Sequence, residues 1–147
     1  MKDKKTRSHC PINVFIESFG DKWTLLILRD MIFRGKKSYG EFLKSEEGFA
    51  TNILSARLEH LKSEGLLKKI EDPSDARKSH FLLTEKALDL IPILFGMMVW
   101  SEKHDSKSLA HKIPRLMGFI KEDLQKISEK SKQRLRNGQA LFPEYLG

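Results

Sequence analysis

"LLKKIEDPSDARKSHFLLT", residues 66–84, sets two apolar runs that read as strands around a charged middle, residues 71–78. Pro73 and the mixed charge mark that middle as a turn. An ordinary surface turn has no need of Asp75, Arg77 and Lys78 together, whereas a hairpin whose tip meets an anionic partner does. Just upstream, "GEFLKSEEG" (residues 40–48) reads as a short helix with Phe42 and Leu43 on its apolar side. "FATNILSARLEHLKSEG" (residues 49–65) follows, with Ile53, Leu54, Leu58 and Leu61 at helical spacing. Thr51, Asn52, Ser55, Glu59 and Lys62 fall largely on the other side, and Gly65 suits the helix stop. A short helix, a tight turn and a second helix make a helix-turn-helix, and the hairpin directly after it is a wing. The expected fold class is mainly α with a small β-hairpin (α+β), a winged helix-turn-helix.

The flanks extend that unit. Pro11 opens "PINVFIESFG", which Gly20 stops. Asp21 is the expected N-cap of "KWTLLILRDMIFRG", apolar nearly all round and so placed at the centre of a core. Gly35 ends it, and "KKSY" reads as a short extended piece. Beyond the wing, Thr84 is expected to cap one helix through "EKALDLIPILFGMMVW", kinked at Pro92. Pro114 opens a last helix with Leu116, Met117, Ile120, Leu124 and Ile127 on one stripe, ended by Asn137 and Gly138. The expected layout is a flexible segment over 1–10, the winged domain over 11–101 and a helical extension over 102–147 that dimerises.

A chain of 147 residues is long enough for one domain with a real core. Its 39% hydrophobic and 32% charged residues are a globular mix. A net charge of +7 and a pI near 9.5 favour a polyanionic partner, without choosing among DNA, RNA and an acidic membrane. The single cysteine, Cys10, excludes an intramolecular disulfide and a zinc site built from several cysteines of one chain. No run approaches the ~20 apolar residues that span a bilayer, so the expectation is a cytoplasmic protein with no membrane partner. His9, His60, His80, His104 and His111 lack ligand spacing, and no Gly-rich phosphate loop is present. Neither an enzyme, a metal site nor a cofactor is expected.

"CPINVFIESFGDKWTLLILRDMIFRGKKSYGEFLK" (residues 10–44) resembles the opening of HxlR-type winged helix-turn-helix regulators. The likeness lies in Cys-Pro before the first helix, Gly-Asp-Lys-Trp before the second, and the Leu-Leu-Ile-Leu-Arg run. "ILSARLEHLKSEGLLKK" and "LLTEKALDLIPIL", with Trp100 after it, fit the same pattern, so the resemblance covers roughly residues 10–100. The wing departs from it: "DPSDARKSHFLLT" looks like the wing of MarR regulators. Ala50 stands where the family often places Ser or Thr, so Thr51 is the expected cap of the recognition helix. The resemblance implies a homodimeric transcriptional regulator on a near-palindromic double-stranded DNA operator, repression being the expected sense. A small-molecule effector is compatible with it.

In that frame Thr51, Asn52, Ser55 and Arg57 near the start of the recognition helix are expected at base edges of the major groove. Arg77 is expected in the neighbouring minor groove with Asp75 orienting it, and Lys78 and His80 on phosphates. Lys36, Lys37, Ser38 and Tyr39 would contact phosphates at the entrance to the motif. Cys10 precedes a helix, next to Arg7 and His9, which suits a low-pKa redox sensor as well as an inert thiol. Ile12, Phe15, Phe95, Met98, Trp100, Leu116, Ile120 and Leu124 are the expected dimer interface. The competing reading is a winged-helix protein-interaction module without DNA binding. Glu46, Glu47, Glu59 and Glu64 near the recognition face favour it, and the placement of charge discriminates the two.

Overall fold

A computed structural model describes residues 6–141; residues 1–5 of the segment expected to be flexible, and residues 142–147 of the extension, lie outside the described residues. The element order is α1 (Pro11–Phe19), α2 (Thr24–Arg34), α3 (Tyr39–Phe42), α4 (Thr51–Ser63), β1 (Leu67–Ile70), β2 (His80–Leu83), α5 (Glu85–Leu88), α6 (Ile91–His104), α7 (Pro114–Glu122) and α8 (Leu124–Arg136). Short 3-10 turns occupy Ala76–Lys78 and Leu109–Lys112. This is the expected winged helix-turn-helix, with α3 and α4 as the motif and β1–β2 as the wing.

Helix α2 runs through the middle, as its all-round apolar sequence dictates. Ile27, Leu28 and Ile32 are wholly buried, among Phe42, Leu54, Leu61, Ile91 and Phe95. Gly35 ends the helix at φ 67°, a left-handed conformation that glycine adopts without penalty. Helix α4 ends at Gly65 (φ 74°), where the N–H of Leu66 reaches back to the carbonyl of Leu61 at 2.9 Å. The wing is antiparallel, with Leu67 opposite Leu83 and Ile70 opposite His80. Phe81 fastens it to the domain, buried with its ring centroid 6.4 Å from that of Phe42. The "KKSY" piece forms no strand, but the carbonyl of Lys37 accepts the N–H of Phe81 at 2.8 Å.

Four local expectations are corrected. Helix α2 starts at Thr24 rather than after Asp21, whose carboxylate nonetheless accepts the N–H groups of Trp23 and Thr24, both at 2.8 Å. Thr51 does not cap α4: Ala50 takes that position and Thr51 is the first helical residue. Pro92 kinks no helix, because α5 ends at Leu88 and α6 begins at Ile91, with proline in a first turn where its missing N–H costs nothing. The last helix is two: Asp123 leaves helical geometry (φ −152°, ψ 90°) and its carboxylate caps α8 by accepting the N–H of Lys126 at 3.0 Å. Thr84 behaves as expected, accepting the N–H of Ala87 and donating to the carbonyl of Gly65 at 2.7 Å. That second bond ties the wing base to the end of α4.

Helices α7 and α8 fold back on their own protomer. Leu116, Met117 and Ile120 are buried in the same core as α2, and α8 packs along α6. Arg136 forks onto Glu85 at 2.9 Å through both nitrogens, and Lys132 reaches Asp89 at 3.2 Å. Leu141 is fully buried and its N–H donates to the carbonyl of Ile32 at 2.9 Å. Phe95, Leu116 and Ile120, expected between subunits, instead lie within the chain's own core, Phe95 against Phe33 of α2.

Candidate nucleic-acid interface

The recognition helix has one apolar and one open face. Leu54, Leu58 and Leu61 are buried, while Thr51, Asn52, Ser55, Ala56 and Glu59 are exposed. Ala50 offers no side-chain cap, so the first-turn N–H groups of α4 end in open donors with the positive end of the helix dipole behind them. Tyr39 anchors this end: its hydroxyl donates to the carbonyl of Thr51 at 3.1 Å and accepts from Ser55 at 3.4 Å. Tyr39 in turn starts α3, which Ser38 and Glu41 cap reciprocally, each accepting the other's backbone N–H at 3.2 Å.

Beneath the helix-turn-helix sits a buried charge. Asp30 of α2 is 0% exposed and meets Arg29 at 2.8 Å, Arg34 at 3.4 Å and Lys36 at 3.6 Å, with a further hydrogen bond from Ser45. The two arginines continue outward into the turn between α3 and α4. Arg29 bonds Glu47 through both terminal nitrogens, at 2.5 and 2.8 Å, and Arg34 bonds Glu46 at 2.6 Å. The Arg29 hydrogen bonds hold the Glu47 carboxyl at a pKa of about 2. Burial opposes the charge of Arg29, but its bonds to Glu47 and Asp30 outweigh that and raise its pKa above the ordinary value. Glu46 and Glu47, which favoured the interaction-module reading, are thus each paired with an arginine of α2 at the surface. Glu59 likewise pairs with Lys62 at 3.1 Å. Sequence reasoning missed this hub; its signal was the Arg-Asp doublet at 29–30 inside an otherwise apolar helix.

The wing tip is stitched by its own side chains. Asp72 accepts from the N–H and hydroxyl of Ser74, at 2.8 and 2.6 Å, which lowers its pKa below the ordinary value. Asp75 accepts the N–H of Arg77 at 2.9 Å and pairs with its guanidinium at 3.2 Å, while the Arg77 side chain remains 92% exposed. Lys78 is exposed beside it and His80 is half-buried at the tip end of β2.

The expected contact set therefore divides. Thr51, Asn52, Ser55, Lys37, Arg77 and Lys78 present open side chains. Lys36 is turned inward, with its Nζ donating to Ser45 at 3.0 Å, and Ser38 is occupied in the cap. Arg57, expected to reach a guanine or phosphate, lies instead 3.5 Å from Asp21, because its position one turn from Leu54 and Leu61 turns it toward the body of the domain.

Cys10 precedes α1 as its N-cap and is exposed. The backbone N–H groups of Asn13 and Ile12 lower its thiol pKa below the ordinary value. Arg7 is not part of that effect, since its guanidinium binds Asn13 at 2.8 Å and Glu17 at 3.4 Å. Of the expected interface set, Ile12 (71% exposed), Trp100 (67%) and Leu124 (40%) are open, and Phe15 and Met98 are half-buried. Ile93 and Met97 continue the Trp100 stripe along α6. Among the described residues no group of His, Cys, Asp and Glu is placed to hold a metal, and no helix is long and apolar enough to cross a membrane.

Comparison with known proteins agrees with this geometry. The family described as HxlR-like helix-turn-helix matches residues 18–109. An HTH-type transcriptional regulator of Synechocystis sp. is 28% identical over 88 residues, 60% of this chain and 64% of the relative. The chain spans only 55–64% of the length of the first curated relatives it matches. Among solved structures, PA1607, a proposed transcription factor, is 34% identical over 68% of both chains with a TM-score of 0.61. The redox regulator HypR in its oxidized form is 27% identical over 65% of this chain and 97% of its own, with a TM-score of 0.58.

Proposed function

The chain belongs to the HxlR-like helix-turn-helix family, and from that premise we propose that it is a homodimeric, sequence-specific DNA-binding repressor of transcription. The observation that carries this reading is the open Thr51–Asn52–Ser55 face of α4, pinned by Tyr39 and flanked by a wing whose Arg77 is almost wholly exposed. Short side chains let the α4 backbone approach the major groove, and Asn52 can pair bidentately with adenine. Arg77, held in direction by Asp75, enters the adjacent minor groove, and Lys37 and Lys78 contact phosphates. The apolar residues left open on α1 and α6 (Ile12, Met97, Trp100) form the subunit contact of a two-fold dimer, which matches a near-palindromic operator. Arg77→Ala is expected to weaken operator binding ~10-fold, about the 1.5 kcal/mol of one charge-assisted contact, with an unchanged circular dichroism spectrum. Unaltered affinity in a fluorescence titration sinks the wing assignment.

Oxidation sensing at Cys10 deepens the reading. Its exposed, acidified thiol is the chemistry such sensing needs, and a relative named as a redox regulator shares the fold. Hydrogen peroxide takes two electrons from two such thiols, one per subunit, and is reduced to two molecules of water as the intermolecular disulfide forms. Cys10→Ser is expected to abolish any change in DNA affinity on peroxide treatment while leaving the reduced affinity intact. A response that persists in this variant removes the sensor.

A further inference from the structure

An apolar hollow of about 440 Å³ opens between α2, α6 and the turn at Leu109–Lys112. Leu26 and Phe33 of α2, Leu94 and Met98 of α6, and Leu109 and Ile113 beyond it form its apolar walls. Its size falls within the ~300–1,000 Å³ usual for small-molecule sites. The family match ends at residue 109, so Ala110 and Ile113 complete the hollow from the part of the chain outside it. Met97 also borders the hollow and belongs to the subunit contact proposed above, which sets the mouth beside that contact. Leu94 is buried and Met98 half-buried.

Two polar features decide what fits. The first is charge. Arg29, Arg34, Glu46 and Glu47 border one side, and each of these charges already has its opposite there. Arg29 bonds Glu47 at 2.5 and 2.8 Å, and Arg34 bonds Glu46 at 2.6 Å. An ionised ligand would lose its water and find no uncommitted counter-charge, so the occupant is neutral. The second feature is a pair of hydroxyls. Ser101 and Ser108 line the hollow with their Oγ atoms 2.8 Å apart, and Ser108 Oγ also accepts the N–H of Ala110 at 3.3 Å. Two hydroxyls carry two hydrogens, and their mutual bond takes one. The other has no acceptor among the described residues. An uncharged oxygen on the ligand, a carbonyl above all, complements that donor.

We propose that this hollow binds a neutral, largely apolar small molecule carrying a carbonyl or hydroxyl oxygen, and that its occupancy alters operator affinity. The binding site stands on the geometry alone, and the effect on DNA rests on the DNA-binding reading above. The coupling is short. The arginines that wall the hollow are the ones that hold Glu46 and Glu47, in the turn between α3 and α4. A ligand packed there touches the helix-turn-helix support and α6 at once. It therefore binds unequally to any two arrangements of these elements and shifts the balance between them.

Calorimetric titration of the full chain with benzylacetone, a neutral ketone, and with hydrocinnamate, its charged near-isostere, tests the site. The ketone should bind, and the carboxylate should bind ~10-fold more weakly or worse. Met98→Trp, which fills the hollow, should abolish ketone binding. The milder pair Ser101→Ala/Ser108→Ala should weaken it roughly 3–10-fold by removing the donor, melting temperature being checked in each variant. A ketone that fails to bind wild type, or binds both variants as well as wild type, overturns the site. Tighter binding of the carboxylate overturns the neutral class. Ketone binding confined to dissociated protomers in sedimentation makes a second copy of the chain the occupant, which also overturns the ligand site. Operator affinity with and without saturating ketone should differ about fivefold or more in wild type, and not in Met98→Trp. Equal affinities with the ketone bound overturn the regulation while the site and the regulator reading stand. Failure of the unliganded protein to bind any duplex at low salt overturns the regulator reading and the coupling with it, and leaves the site standing.

Discussion

Asp30→Ala lowers stability at neutral pH by about 3–5 kcal/mol, the usual cost of removing one partner from a buried ionic group. The substitution deletes a single carboxylate, yet three cations converge on it, and their own side chains are only 18–19% exposed. Arg29 and Arg34 keep Glu47 and Glu46 as partners, so the sharpest loss falls on Lys36, left with Ser45. At roughly 3 °C per kcal/mol for a domain of this size, the melting temperature should fall by about 10–15 °C. Because the hub carries the turn between α3 and α4, operator affinity should fall as well, even at temperatures where the variant remains folded. Thermal unfolding by circular dichroism checks the first effect and a titration at 10 °C below the variant's melting point checks the second. A shift of only a degree or two would mean that Arg29, Arg34 and Lys36 do not depend on Asp30 for their place in the fold.

Phe95→Ala is the second large effect, about 3–5 kcal/mol from lost burial and the cavity left behind. Phe95 is wholly enclosed, with its ring centroid 6.0 Å from that of Phe33 on α2. The loss should appear as unfolding of the protomer, and the same drop should be measured at high and low protein concentration. Trp100→Ala makes the contrast, since it lies on the same helix with 67% of its surface open. Its removal should leave protomer unfolding nearly unchanged and should raise the dimer dissociation constant in sedimentation equilibrium. Dissociation caused by Phe95→Ala at unchanged protomer stability would return that residue to the interface.

The wing and the helix-turn-helix were legible because local chemistry decides them. Pro73 in a charged turn, Thr84 ahead of Glu85 and the glycines at 35 and 65 each state a boundary in one or two residues, and each stands there in the structure. The break at Asp123 was harder, because an aspartate on a polar helix face looks the same whether it is solvated or turned into a cap. Pro92 was ambiguous in kind: the same residue kinks a long helix or begins a new one, and the backbone of Asp89 and Leu90 decided for the second. The destination of the apolar stripe on α7 was not written in its periodicity at all. A stripe announces that it will be covered, not by what, and here the cover is the protomer's own core. Arg57 failed for a related reason, since its partner, Asp21 in the turn between α1 and α2, is brought to it only by the tertiary fold.

Leu141 has a temporal side. Its backbone bond to Ile32 joins residues 109 positions apart, so the C-terminal end of α2 is covered only by a residue made long after it. Contacts of such long sequence separation slow folding, because the intervening loop must be ordered before they form. A nascent chain that has already completed its wing would still expose the C-terminal end of α2 until the final helix swings in. Folding of these residues should thus finish after translation of Leu141, leaving a window in which a chaperone or a neighbouring nascent chain meets an unfinished core.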